Sequence, residues 1–147
     1  MHKIFIQWIV FISVLGFNFI NTIVLVADHA EPINVLYTIL NFAMGSIFMT
    51  YIFYCGNLGI GQNNENLNLR FMILQGILGL FYLLFVFFPL GPVNGWVKIA
   101  DLENRDSGPA KYGIFAVVVE SLVYMALVGL AGWCIYMVKT EKHKQIE

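Results

Sequence analysis

Between Tyr112 and Val138 the chain runs for 27 residues with a single charged side chain, Glu120. An α-helix rises about 1.5 Å per residue, so a run of this length can cross the roughly 30 Å hydrocarbon core of a bilayer. A carboxyl group at mid-membrane depth costs roughly 2.5–3.5 kcal/mol on insertion scales. The run therefore sets two constraints together. The chain is expected in a membrane, and Glu120 is expected to face other helices or water instead of lipid.

Three further apolar runs share this character: Ile4 to Ala27, Ile33 to Tyr54, and about residues 71 to 89. Together with residues 112 to 138 they predict one domain: an all-α, integral membrane four-helix transmembrane bundle in up-down order. Ile4 to Ala27 is too long for the apolar core of a signal peptide, and no A-x-A site follows it, so it reads as a signal anchor and first span. Charged residues make up 12% of the chain, about half the share of a soluble domain, and fall almost entirely between the apolar blocks. The net charge of −1 implies no basic surface, so nucleic acid is not an expected partner.

The connections follow from their turn formers. Asp28 to Pro32 is a short acidic turn, and Pro32 suits the first turn of the next helix. Cys55 to Arg70, with Gly56, Gly59 and Gly61 and then Asn63, Asn64, Asn66 and Asn68, reads as a second, turn-rich connection. Leu90 to Lys111 reads as turns with Trp96 at the membrane interface, then a polar loop. Lys139 to Glu147 is a polar tail. Lys3, Arg70, Lys139, Lys142 and Lys144 lie on the side of the termini, against Lys98, Arg105 and Lys111 on the other. This excess predicts cytoplasmic termini.

The polar residues within the runs are spaced for helices. Asn18 and Asn21 share a face of the first run. Asn34, Thr38, Asn41 and Gly45 form a stripe on the second, and Gln75, Gly79 and Tyr82 on the third. Asn18, Asn21, Asn41, Tyr82 and Glu120 all lie roughly 9–14 Å from the same end of the bundle. One interhelical cluster of these five is therefore expected. It reads either as structural glue or as an ion or proton site, and Gln75 is the one further intramembrane group available to extend a polar path. Cys55 and Cys134 lie near the predicted cytoplasmic face as candidate palmitoylation sites, or as inert packing thiols. The chain carries no CxxC, no Cys/His cluster, no HExxH, no phosphate-cradling glycine loop and no GxSxG. No metal, no cofactor and no catalytic residue is expected, and the chain reads as a non-enzyme.

A Tyr-Cys pair (Tyr54-Cys55) before the second connection, a Phe-rich third run, Gly95-Trp96 after it, and a last run leading into Lys139, Lys142 and His143 form a recognisable layout. In these features the chain resembles the four-span core of the secretory carrier membrane proteins. That resemblance implies a place in vesicle membranes, cytoplasmic termini and no catalysis. The expected function is a non-enzymatic membrane scaffold or interaction partner, either a vesicle-trafficking tetraspan or an accessory subunit of a larger membrane complex. Its expected partners are the lipid bilayer and other membrane subunits or further copies of itself. The alternative is a small channel, transporter or proton-handling protein centred on Glu120.

Overall fold

A computed structural model gives the fold and describes residues 2–27, 31–88 and 95–144. It is all-helical: α1 (His2–Val26), α2 (Ile33–Gly61), α3 (Glu65–Phe87), the short α4 (Val97–Glu103) and α5 (Gly108–Lys144). Four of the five are long and apolar enough to cross a membrane. At about 1.5 Å per residue, even α3, with 23 residues, is roughly 35 Å long. The expected turns at Asp28–Ala30 and at 89–94, and the end of the tail, lie outside the described residues.

α1 packs on α2 and α5, and α3 packs on α2 and α5, so the four long helices enclose one core. That core holds Ile4, Phe11 and Val14 of α1, Met49 and Ile52 of α2, Phe71 and Tyr82 of α3, and Tyr124 and Leu127 of α5. The outward faces are apolar as well: Met44, Ile47, Leu80, Leu122 and Tyr136 are each more than 60% exposed. Water would penalise such a surface and hydrocarbon would not.

The second connection is much shorter than the glycine and asparagine content predicts. α2 continues through Cys55, Gly56 and Gly59 to Gly61, and α3 begins at Glu65, leaving only residues 62–64 as the turn. Two of the glycines serve close packing instead of bending the chain. A Cβ on Gly56 would lie 2.7 Å from the Phe71 ring, and one on Gly59 would overlap the Asn68 side chain. The turn is made by asparagines. Asn63 takes the left-handed conformation (φ 49°) that asparagine tolerates, and the Asn64 N–H donates back to the Gly59 carbonyl at 3.0 Å. The Asn64 side chain then caps α3, accepting from the Leu67 N–H at 3.2 Å, with Glu65 in the first turn where the helix dipole favours an acid.

The third connection also departs from the expected polar loop, because it contains α4. Lys98 and Asp101 pair at 3.3 Å on its outer side, while Leu102 turns inward. Leu102 joins Leu25, Ala110, Ala116 and Val117 in a second, smaller core, so α4 caps the junction of α1 and α5. Trp96 is half-exposed, and its backbone N–H donates to the Val86 carbonyl at 3.0 Å, holding the return of the chain against the end of α3. The polar tail is helical too, as α5 runs unbroken to Lys144.

Candidate functional site

Asn18 and Asn21 lie three residues apart on α1, so their side chains leave the helix on one face, toward α5. Glu120 of α5 meets both. Asn18 Nδ2 donates to Oε2 at 2.9 Å and Asn21 Nδ2 donates to Oε1 at 2.7 Å. The carboxyl group thus uses both oxygens as acceptors, and it is only 1% exposed. Asn21 is held from its other end, because Tyr112 donates its hydroxyl to Asn21 Oδ1 at 2.7 Å. That bond fixes which end of the Asn21 amide faces the carboxyl. The ion pairs among the described residues, Lys98–Asp101 and Lys111–Asp106, are at the surface and do not reach Glu120.

One turn along α1, the Thr22 and Thr38 hydroxyls meet at 3.1 Å across the α1–α2 contact. Each also lies against a carbonyl of its own helix, Thr22 against Asn18 O and Thr38 against Asn34 O, both at 2.9 Å. A second polar layer lies nearer the other end of the bundle. Gln7 of α1 and Gln75 of α3 exchange two hydrogen bonds of 2.8 Å, and both are fully buried. Gln7 and Asn18 are eleven residues apart, roughly 16 Å along α1. The interval is filled by the apolar side chains of Phe11, Val14, Leu15, Leu78 and Leu127 and by the rings of Tyr82 and Tyr124.

Of the five residues expected to cluster, the structure brings Asn18, Asn21 and Glu120 into direct hydrogen bonding. Tyr82 belongs to the apolar layer. It is fully buried with its ring 5.5 Å from Phe11 and 6.1 Å from Tyr124, and its hydroxyl lies toward Gln7, without a well-formed hydrogen bond, instead of toward Glu120. Asn41 is exposed on α2, at the mouth of a pocket it shares with Asn18, and forms no hydrogen bond to Glu120. Tyr112 and Gln7 were not singled out from the sequence. Tyr112 sits about two turns before Glu120 on the same helix, which is the signal that marks it. Gln7 is the one amide early in the first run.

Cys55 and Cys134 are free thiols that are fully buried in the main core. An acyl chain needs an exposed sulfur, and the fold offers neither. Among the described residues no group of three or more His, Cys, Asp or Glu side chains is placed to hold a metal ion. Chemically the Glu120 site offers a carboxyl group clamped between two amides at the α1–α5 contact. Compared with known protein families, with curated proteins and with solved structures, the chain matches none.

Proposed function

We propose that this protein is a non-enzymatic, multi-pass membrane protein that acts as a scaffold or interaction partner, with its four long helices spanning the bilayer in up-down order and both termini in the cytoplasm. The observation that carries this reading is the way the buried amides and the carboxyl group close on one another. Glu120 is satisfied by Asn18 and Asn21, and Gln7 by Gln75, and the layer between the two sets is built mostly of apolar side chains, with the rings of Tyr82 and Tyr124 among them. An ion or proton path would need polar groups continuing from one layer to the next. Paired amides and a clamped carboxyl instead hold helices together where lipid supplies no hydrophobic drive for association.

Two forms of the role follow. As an accessory subunit, the bundle offers its broad apolar faces to neighbouring membrane proteins. As a vesicle tetraspan, it fits the layout that the chain shares with secretory carrier membrane proteins. Purification from native membranes in a mild detergent, with native mass and identification of co-purifying chains, separates them. Stoichiometric partners in a large particle establish the subunit. A lone monomer or homo-oligomer removes it and moves the test to vesicle localisation. Ion flux into liposomes that is lost in Glu120→Gln would overturn the scaffold reading in favour of transport.

A further inference from the structure

Between Thr38 and Met49 no residue of α2 is fully buried. Over this stretch α2 stands off from the core, and a pocket of about 370 Å³ opens between α2 and α3. Leu15 and Tyr124, both buried, form its floor, and Met44 and Phe81, 68% and 47% exposed, stand at its rim. Phe48 and Phe85 add aromatic wall. The rim belongs to the apolar outer surface, so in a bilayer the pocket opens sideways into hydrocarbon.

Two of the lining residues are amides, Asn18 and Asn41. Asn41 lies eight residues into α2, roughly 12 Å from its start. It is exposed, and among the described residues its side chain makes no hydrogen bond. Hydrocarbon gives such a group no partner, so its position at the pocket mouth calls for one from a ligand. A primary amide both donates and accepts, which matches a hydroxyl group. No Lys, Arg or His lines the pocket, and the Glu120 carboxyl sits directly behind Asn18, so an anionic headgroup has no complement there. The volume is about that of one turn of bare helix, so a neighbouring helix does not fit inside, whereas a slim apolar chain does.

We propose that this pocket binds a membrane lipid alcohol, its chain between α2 and α3 and its hydroxyl on Asn41. The site rests on the bilayer placement of the four helices and is independent of the scaffold role, which the native-mass experiment tests by itself.

The test uses the full chain in phosphatidylcholine vesicles with three photoreactive probes of equal chain length: a hexadecanol, the corresponding hexadecanoate at pH 8, and a plain hydrocarbon. The alcohol is expected to label residues 41–48 and 78–85 above all others, and the carboxylate to label them less. Asn41→Leu is expected to cut labelling by the alcohol about fivefold, the factor for one net hydrogen bond of about 1 kcal/mol, while the hydrocarbon is unaffected. Met44→Trp, at an exposed rim position that leaves the core intact, is expected to cut labelling by both. Even labelling of outward residues such as Leu80, Leu122 and Trp133 would overturn the proposal. So would an Asn41→Leu protein labelled by the alcohol like the unmodified chain.

Discussion

Replacing Glu120 by leucine removes the acceptor that Asn18 Nδ2 and Asn21 Nδ2 share between α1 and α5. Leucine has a similar volume and fills the site, so the loss is of hydrogen bonding and not of packing. Each buried donor left without a partner costs about 1–3 kcal/mol. The Asn21 donor alone makes Glu120→Leu worth about 1–3 kcal/mol, and the lost Asn18 bond adds to it. Relaxation is limited for Asn21, because turning its amide would break the 2.7 Å bond from Tyr112. Glu120→Gln is a different case. Its carbonyl can face Asn21 and its amide can face a turned Asn18, so two neutral bonds replace two bonds to a carboxyl at a cost of about 1 kcal/mol. The triple leucine variant of Asn18, Asn21 and Glu120 removes these donors and their acceptor together, leaves the Tyr112 hydroxyl without Asn21 Oδ1, and is expected to recover part of the loss. The assay is unfolding in mixed dodecyl maltoside and sodium dodecyl sulfate micelles, followed by circular dichroism. The expected order is unmodified chain, Glu120→Gln, triple variant, Glu120→Leu. A Glu120→Leu protein as stable as the unmodified chain would refute the clamp, and so would a Glu120→Gln protein as unstable as Glu120→Leu.

Three further outcomes follow from the packing. Gln7→Leu or Gln75→Leu alone strands the other amide and is expected to cost about 1–3 kcal/mol in the same unfolding assay, whereas the double variant is expected to lie near the unmodified chain. Gly56→Ala places a Cβ 2.7 Å from the Phe71 ring and is expected to cost about 1–3 kcal/mol by overpacking, while Gly61→Ala, with open space around it, changes melting little. Cys55 and Cys134, both fully buried, are expected to resist a maleimide in the folded protein and to react after unfolding. Intact-mass analysis from native membranes is expected to show no acyl adduct on either.

Much of this architecture is legible in the residues taken in order. Length and hydropathy alone define the four long apolar segments, because a helix needs about 20 apolar residues to cross hydrocarbon and few other folds tolerate such runs. The three-residue spacing of Asn18 and Asn21, and their match in depth to Glu120, point to a shared site because helical rise and rotation are nearly constant. Spacing and depth do not say how each helix is rotated about its axis. Asn41 has the right depth and lies on the right stripe, yet α2 stands away from the core there and leaves it at a pocket mouth. Tyr82 has the right depth too, but aromatic contacts to Phe11 and Tyr124 take it into the apolar layer.

The glycines of the second connection show the same division. In isolation Gly56, Gly59 and Gly61 signal a turn, because glycine weakens a helix by about 1 kcal/mol. In the folded chain Phe71 and Asn68 occupy the space that side chains at 56 and 59 would fill, and that packing keeps α2 helical to Gly61. The burial of Cys55 and Cys134, the bond from Tyr112 to Asn21 and the inward turn of Leu102 in α4 likewise depend on contacts between segments far apart in the chain. By itself the sequence determined which segments are apolar, how long they are and which polar residues share a face and a depth, since these are local properties of a helix. Only the tertiary structure decided which faces meet, because that choice depends on how side chains from different helices fit together.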